Sequence, residues 1–236
     1  MRRKELFEFK QFAIRQTHAA MKVGTDSDLL GTLSEGGRRI LDVGTGTGVL
    51  SLMLAQRYPE ATIHAIEIDE NAVIDAAENF AQSPFADRIT LQHIAFQDYL
   101  LQPHEQCYDS VVCNPPYFDK SLENDDEGRR RARHTSSLPF RVLIKGTYDL
   151  LEDGGVFSVC IPGEVLNEFC AECLIVGFSV QDLYRIRTLP EKAPKRFVVV
   201  HRKGYVATPT IHDHCMRHSD NSRSEWYLNL MRDFHL

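Results

Sequence analysis

Short apolar runs alternate with amphipathic segments along most of this 236-residue chain. Seven runs have the length and composition of buried strands, at 39–43, 62–66, 89–93, 109–113, 156–161, 180–189 and 197–202. Four segments have helical spacing, at 49–57, 70–80, 139–151 and 165–176. Alternation of this kind is typical of α/β folds built on a parallel sheet. A proline-containing turn separates the last two strands, which are predicted to pair as an antiparallel hairpin.

The composition is that of a globular protein, with 43% hydrophobic and 25% charged residues, and one domain is expected. We divide it into an N-terminal segment at 1–37, a core at 38–203 and a C-terminal extension at 204–236. Apolar side chains at helical spacing between Trp226 and Phe234 predict a helix docked on the core. The sequence shows neither an apolar run long enough for a membrane span nor a signal-peptide pattern, so a cytoplasmic protein is expected.

A glycine-rich loop follows the first predicted strand and leads into the first helix of the core. Gly44, Gly46 and Gly48 would let the backbone turn sharply and approach a ligand closely. The loop does not match the dinucleotide fingerprint, because Val49 stands where the last glycine would be, and it lacks the lysine of a P-loop. The loop is therefore predicted to bind a nucleoside rather than a phosphate chain.

Carboxylates stand at the ends of three successive predicted strands. Asp42 would repel a pyrophosphate but attract the ammonium of an amino-acid moiety. Glu67 is placed to accept both ribose hydroxyls, and Asp98, beside the apolar Phe96, to accept from an adenine amino group. Open α/β sheets bind ligands outside the carboxyl ends of their strands. The three acids thus predict a site for S-adenosylmethionine (SAM), a cationic nucleoside without phosphates, while Asp69 is the expected N-cap of the following helix.

The fourth predicted strand ends at a tetrapeptide, Asn114, Pro115, Pro116 and Tyr117. An sp² amine such as adenine N6 has its lone pair delocalised into the ring, so acceptors must hold it and direct it at a methyl donor. The side-chain oxygen of Asn114 and the carbonyl of Pro115 are candidate acceptors, and the locked φ angles of the prolines would fix that carbonyl. Tyr117 offers a flat face for an extruded base. The tetrapeptide predicts methyl transfer to an exocyclic amine, achieved mainly by positioning.

The formal net charge of −6 argues against a uniformly basic surface for nucleic acid. Basic residues are nevertheless concentrated at 129–133 and 192–203. Charge alone leaves open both a solvated surface and contact with a phosphate backbone.

Six cysteines are scattered mostly through apolar runs and are predicted to be reduced packing residues. Cys170 and Cys173 have C-x-x-C spacing, and histidines near the C-terminus could complete a zinc site. Both cysteines, however, lie in a helical apolar pattern, so no metal is predicted.

The glycine loop, Glu67 and the tetrapeptide resemble the corresponding motifs of class I SAM-dependent amino-methyltransferases. More narrowly, the segments at 9–12, 21–26, 29–31 and 132–135, and the tail from 220, are similar to bacterial tRNA1(Val) adenine-37 N6-methyltransferases. The resemblance runs nearly end to end. It implies a Rossmann-like fold with a seven-stranded, mostly parallel sheet, helices on both faces and an antiparallel C-terminal hairpin. It also implies SAM-dependent N6-methylation of adenine in tRNA, at position 37 of the anticodon loop.

The resemblance implies further roles for individual residues. Lys22, Gly24 and Thr25 would help to close the cofactor pocket, although sequence patterns alone favour Thr25 or Asp26 as a helix cap. Two basic clusters would contact tRNA, namely Arg129, Arg130, Arg131 and Arg133, and Lys192, Lys195 and Arg196. We expect a monomer without an obligate protein partner.

Two alternatives remain open from the sequence. Methylators of guanine N2 and of glutamine amides share the tetrapeptide, so the target could be another RNA amine or a protein glutamine. The chain could also be a non-catalytic RNA-binding module. The presence of Asn114, Tyr117 and all three acids argues against that module, which would have no use for a cofactor pocket.

Overall fold

The computed structural model describes residues 5–19, 21–103, 108–115 and 138–236. The strands are β1 (Leu6–Glu8), β2 (Ala13–Arg15), β3 (Arg39–Val43), β4 (Thr62–Glu67), β5 (Ile89–His93), β6 (Tyr108–Cys113), β7 (Leu151–Pro162), β8 (Phe178–Arg187), β9 (Arg196–Lys203) and β10 (Thr210–Cys215). The helices are α1 (Thr25–Leu33), α2 (Val49–Arg57), α3 (Glu70–Ala81), α4 (Phe96–Tyr99), α5 (Phe140–Leu150), α6 (Gly163–Val176) and α7 (Glu225–Leu230), with a 3-10 turn at Ala86–Arg88.

The main sheet has the strand order β10-β8-β9-β7-β6-β3-β4-β5. All its neighbouring strands are parallel except β9, which pairs antiparallel with both β7 and β8. The α/β prediction and the antiparallel hairpin are confirmed. Because β9 alone runs in the opposite direction, the other seven strands all end at one side of the sheet. We call this side the carboxyl edge.

The prediction of seven strands was wrong, because the described residues place eight in the main sheet. The additional strand is β10, which pairs only with β8 and forms one edge of the sheet. Four of its six residues are polar or ionisable, and none is fully buried. An edge strand tolerates such side chains, so its sequence lacks the apolar run that marked the inner strands.

Several predicted boundaries also shift, the largest being the start of β7, which is Leu151 rather than 156. Two other shifts have local reasons. α6 begins at Gly163 rather than at 165, because Pro162 has the extended backbone of an N-cap. β8 covers Phe178–Arg187 rather than 180–189, because Gly177 has a φ of +114° and ends α6 immediately before the strand. Glycine adopts this conformation without the penalty paid by other residues.

Buried side chains form one cluster on each face of the sheet. One cluster joins Leu29 and Leu30 of α1 to Leu52 and Met53 of α2. It also includes Tyr227, Met231 and Phe234 of the C-terminal segment. The second cluster contains residues of α4, α5 and α6, among them Phe96, Leu143 and Phe169. Alternate residues of the inner strands supply both clusters, as expected of strands covered on two faces.

No described helix is both long and apolar enough to cross a membrane. The five cysteines among the described residues are free thiols, and three of them, Cys113, Cys160 and Cys173, are buried.

His201 provides a test of the second cluster. Its ring is fully buried and neighbours Phe157, Phe169 and Phe178, and burial lowers its pKa to about 4. Because the unfolded chain binds this proton more strongly, the native state loses stability as the pH falls from 6.5 towards 4, by about 3 kcal/mol in all. We expect His201→Leu to remove this part of the acid sensitivity.

Thermal unfolding of wild type and variant at pH 8, 6.5 and 5 would measure the effect. As the pH falls, the melting temperature of His201→Leu should drop less than that of the wild type. The melting temperature of His218→Leu, a change at an exposed position, should drop as much as that of the wild type. A difference between His201→Leu and wild type that is constant across this pH range would contradict the assignment.

Candidate active site

The glycine loop at 44–48 joins β3 to α2 at the carboxyl edge. Gly44, Gly46 and Gly48 have φ angles of +72°, +58° and +85°, in the left-handed region that favours glycine. A Cβ added to Gly48 would overlap the ring of Phe80, which explains why this position must be glycine. A Cβ added to Gly44 or Gly46 would meet no described atom within 4 Å. One side of the loop is thus packed and the other offers room for a ligand.

Asp42, the last residue but one of β3, is completely buried beneath this loop. Its Oδ2 accepts hydrogen bonds from the hydroxyls of Thr45 (2.6 Å) and Ser51 (2.7 Å). Its Oδ1 is buried and has no hydrogen-bond partner among the described residues. Burial raises the pKa of Asp42 to about 6, although both hydroxyls act to lower it. An unpartnered carboxylate oxygen fits the predicted ammonium group of SAM.

Glu67, the last residue of β4, is also buried and is held by three backbone amides. Its Oε2 accepts from the N–H of Gly46 at 2.8 Å, and its Oε1 accepts from Ile68 at 2.8 Å and Asp69 at 2.9 Å. Oε1 thus has both lone pairs engaged, whereas Oε2 can accept a further hydrogen bond, so this fixed carboxylate also fits a ribose hydroxyl of the predicted SAM. The predicted N-cap is confirmed, because the Asp69 side chain accepts from the N–H of Asn71.

The third acidic position follows β5 in the one-turn helix α4. Phe96 is buried in the second cluster, with its ring against Gly146 of α5. Asp98 is exposed on the same turn. Both therefore lie beyond the carboxyl end of β5, and their contacts with adenine stay predictions.

Asn114 directly follows β6, which lies beside β3 in the sheet. Val43 is paired with Ile66 on one side and with Cys113 on the other. The glycine loop, Glu67 and Asn114 consequently follow three neighbouring strands at the same level, with about 5 Å between strands. Strand register therefore brings the predicted cofactor and catalytic residues together.

The side chain of Asn114 is half-buried, and its Nδ2 lies 3.5 Å from Ser27 Oγ, to which it donates. Pro115 is buried. Sequence reasoning missed Ser27, because a serine in the first turn of a helix carries no signal of this contact. Pro116 and Tyr117 lie outside the described residues, and their roles stay predictions.

The segment before α1 is fixed by its own side chains. Lys22 Nζ donates to the Gln16 carbonyl, and Gln16 Oε1 accepts from the N–H of Val23 at 2.8 Å. The prediction that Thr25 or Asp26 caps α1 was wrong. Gly24 is the N-cap, because its carbonyl already accepts the first helical hydrogen bond, from Asp28.

Two polar residues of α3 attach the N-terminal segment to the core. Asp75 Oδ2 accepts from the N–H groups of His18 (2.9 Å) and Ala19 (2.8 Å), and its Oδ1 contacts His18 Nδ1. The Asn79 side chain binds both backbone groups of Arg15 and donates to the carbonyl of Thr47 in the glycine loop. Sequence analysis identified neither residue, because their partners are backbone groups far away in the chain.

The second basic cluster lies at the turn between β8 and β9. Lys192 and Lys195 are exposed, whereas Arg196 forms an ion pair with Asp26 of α1. Lys195 and Arg196 line a cavity of about 550 Å³ at the carboxyl end of β7. The first cluster, Arg129, Arg130, Arg131 and Arg133, lies outside the described residues, and contact with RNA stays a prediction for both clusters. Among the described residues, no group of three or more His, Cys, Asp or Glu side chains is placed to hold a metal.

Comparison with known sequences identifies the relatives of this chain. A family model described as the methyltransferase small domain matches residues 17–137. A Bacteroides thetaiotaomicron protein is 41% identical over 98% of this chain and 97% of its own length. A Vibrio parahaemolyticus protein is 37% identical over 98% of this chain and 95% of its own length. Both relatives are named tRNA1(Val) (adenine(37)-N6)-methyltransferase.

Solved structures agree with the fold. One, described as a predicted O-methyltransferase from Agrobacterium tumefaciens, has a TM-score of 0.67 at 18% identity, over 89% of this chain and 96% of that chain. P. horikoshii TYW2 in complex with MeSAdo has a TM-score of 0.58 at 16% identity, over 84% of this chain and 70% of that chain. At such low identity the likeness concerns the fold alone, which is the Rossmann-like methyltransferase fold that the sequence predicts.

Asn79 allows the link between the N-terminal segment and the glycine loop to be tested. The side chain is buried, and Asn79→Ala would leave three backbone groups without their partner. We expect the free energy of unfolding to fall by about 3 kcal/mol and SAM to bind more weakly. Urea unfolding and calorimetric titration with SAM would measure the two effects.

Gln82→Ala, at an exposed position just after the same helix, is the matched control and should change both quantities little. If Asn79→Ala bound SAM as tightly as the wild type, Asn79 would have no part in shaping the loop.

Proposed function

This chain belongs to the family of tRNA1(Val) (adenine(37)-N6)-methyltransferases, and from that premise we propose that it methylates N6 of adenine 37 in the anticodon loop of tRNA1(Val). It is a SAM-dependent methyltransferase by family and by fold. The observation that carries the choice of an amine as target is Asn114, one strand away from the glycine loop and level with it.

In this proposal the residues of the chain act by holding the reactants. SAM supplies a methyl group on a positively charged sulfur. Asn114 and Pro115 accept the two N6 hydrogens at the side-chain oxygen and the backbone carbonyl, which draws electron density onto nitrogen. Pro116 restrains that carbonyl, and Tyr117 stacks on the base. A fixed approach of this kind supplies much of the rate enhancement without a strong base.

The cofactor residues divide among the parts of SAM. Asp42 attracts the ammonium group through its unpartnered Oδ1, and Glu67 accepts from a ribose hydroxyl. Phe96 forms an apolar wall beside the adenine, and Asp98 accepts from the adenine amino group. Lys22, Gly24 and Thr25 close the pocket from the N-terminal side, supported by the attachment of residues 15–19 to α3.

The substrate would reach this site along basic side chains. Lys192 and Lys195 are exposed in the turn before β9, where Lys195 lines the cavity at the end of β7. The arginines between 129 and 133 follow the tetrapeptide in the chain. Because such residues would contact phosphates, the affinity for RNA should fall steeply as the salt concentration rises. The affinity for a protein glutamine substrate should depend little on salt. We propose that the enzyme acts as a monomer in the cytoplasm.

Transfer of a tritiated methyl group tests the proposal. SAM labelled in the methyl group is incubated with bulk tRNA that lacks this modification, and the product is digested to nucleosides. We expect label in N6-methyladenosine, and a rate at least about a hundredfold lower for Asn114→Ala because the amine loses an acceptor. Asn167→Ala, at an exposed position on α6, should keep the wild-type rate.

Label in a methylated guanosine would show that the target is another RNA amine and not adenine N6. Absence of label in RNA, together with measurable SAM binding, would exclude tRNA as the substrate, and the same assay on cell protein would then test a glutamine target. A full rate with Asn114→Ala would remove Asn114 from the mechanism.

The charge of Asp42 predicts how SAM binding depends on pH. Because burial raises its pKa to about 6, Asp42 is charged at pH 7.5 and becomes protonated as the pH falls through 6. We expect the Kd for SAM to rise severalfold between pH 7.5 and 5, as the attraction for the ammonium group is lost. For Asp42→Asn, we expect the Kd to be high and nearly constant over this range.

Calorimetric titration at several pH values measures this dependence. Asp87→Asn makes the same chemical change at an exposed position and should behave as wild type. If Asp42→Asn kept the wild-type pH dependence, the charge on Asp42 would not be what holds SAM.

A further inference from the structure

A second, smaller cavity lies where the N-terminal hairpin, the start of α1 and the C-terminal extension meet. Its volume is about 240 Å³, and its lining includes Phe7, Asp28, Arg217, Arg223, Tyr227 and His235. Sites for drug-sized ligands measure about 300–1,000 Å³, so this cavity suits a single planar ring system. We call it the tail cavity. Asp42, Glu67 and Asn114 do not line it, whereas Gly24 and Thr25, which the proposed function assigns to closing the cofactor pocket, do.

Asp28 gives the tail cavity an acceptor with spare capacity. The residue is 6% exposed, and its Oδ2 accepts from the Tyr227 hydroxyl at 3.2 Å and lies 3.4 Å from His235 Nε2. Its Oδ1 is buried without a hydrogen-bond partner among the described residues. A buried carboxylate oxygen left unpaired is costly, and a donor group of a ligand would relieve that cost.

Aromatic rings and cations complete the lining. Phe7, Tyr227 and His235 supply aromatic rings to the lining, and the guanidinium of Arg223 lies over the Tyr227 ring, 5.7 Å from its centroid. Arg217 and Arg223 are exposed and are paired across an antiparallel bridge. Neither arginine forms an ion pair with a carboxylate in the part of the chain that the structure describes. Two adjacent arginines without acidic partners form a site for polyanions.

The tail cavity is on the same side of the molecule as the active site. Met216 and Arg217 follow the carboxyl end of β10, which runs parallel to β8 and therefore ends at the carboxyl edge. Asp28 follows Ser27, whose hydroxyl contacts Asn114. The first turn of α1 thus stands between Asn114 and the tail cavity.

Unpaired bases in RNA are recognised by stacking on aromatic rings and by hydrogen bonds to their edges, with basic groups on the phosphates. The lining of the tail cavity supplies all three. Resting on the function proposed above, we propose that the tail cavity binds a second, unpaired nucleobase of the RNA substrate, whose exocyclic amino group donates to Asp28 Oδ1 while Arg217 and Arg223 hold the adjoining phosphates. It would thereby help the enzyme to select its RNA by sequence.

The test measures RNA affinity, so that it does not depend on methylation. The probes are a stem-loop RNA with the anticodon-loop sequence of tRNA1(Val) and a set of variants, each with one loop base other than the target adenine replaced by an abasic residue. Filter binding gives the Kd for each RNA with S-adenosylhomocysteine present. With wild-type protein, we expect one abasic position to raise the Kd by about tenfold to a hundredfold beyond the effect of the other positions.

Asp28→Asn is then measured on the same set of RNAs. We expect it to bind the intact RNA as weakly as the wild type binds the sensitive abasic RNA, and to lose nothing further at that position. At every other position, the factor by which Asp28→Asn raises the Kd and the factor by which the abasic residue raises it should multiply. Replacing the sensitive base by its analogue without the exocyclic amino group should reproduce the abasic result.

Two further variants separate recognition from structure. Tyr227→Phe removes the hydroxyl that donates to Asp28 Oδ2 but keeps the ring and leaves Oδ1 untouched. Whatever its overall affinity, the same single abasic position should therefore remain the sensitive one in this variant. Arg217→Gln with Arg223→Gln should weaken binding to all the RNAs alike and reduce its dependence on salt.

Multiplicative effects of Asp28→Asn at every position, or a Tyr227→Phe variant that copies Asp28→Asn, would overturn the proposal. Methylation of the intact RNA is assayed in parallel. Absence of methyl transfer by the wild type would count against the proposed function, whereas the pattern of Kd values decides the tail cavity separately.

Discussion

The hydrogen bond from the Gly46 N–H to Glu67 holds the glycine loop against the end of the neighbouring strand, and the arrangement of the site depends on it. Three loop glycines have positive φ angles, and an unliganded loop of this kind has many conformations to lose. The hydrogen bond to Glu67 offsets part of this entropy cost of ordering the loop. The hydrogen bonds that Thr45 and Ser51 donate to Asp42, beneath the loop, offset another part. Hydrogen bonds to charged groups are each worth about 1.5–3 kcal/mol, so the loop is held in shape before any ligand arrives.

Strand order places Asn114, the first residue of the proposed catalytic tetrapeptide, beside this loop. From β3 the chain builds the sheet outward through β4 and β5, and then returns to place β6 on the other side of β3. Such a reversal leaves a crevice at the carboxyl edge, where open α/β sheets bind ligands. The glycine loop and Asn114 stand on the two sides of that crevice. In the function proposed above, topology would therefore bring a cofactor on the loop and an amine at Asn114 face to face, and the side chains would add only the final orientation.

The elements around this crevice could be predicted because their burial repeats along the sequence. The helix at Val49–Arg57 and the strand at Ile89–His93 match the predictions residue for residue. The position of Asp42 and Glu67 at strand ends was also predictable, since it needs only the strand boundaries. Their second task, holding the loop, was not, because it depends on backbone amides that the loop turns towards them.

Other features carry no local signal. β10 is stable as an edge strand despite its polar sequence, since only one of its edges must find a partner. Asp75 and Asn79 are polar although they occupy buried positions on α3. Only the fold shows that their partners are Arg15, His18 and Ala19. Long-range contacts of this kind are set by packing, which one sequence does not record.

The most direct measurement is a crystal structure of the protein with S-adenosylhomocysteine. A loop that is already shaped for its ligand should keep its positive φ angles at Gly44, Gly46 and Gly48. The ammonium group should lie within about 3.2 Å of Asp42 Oδ1 or be joined to it through one water, and a ribose hydroxyl should bind Glu67. A ligand bound away from the carboxyl edge, or a loop rebuilt around it with Glu67 released from Gly46, would contradict this account.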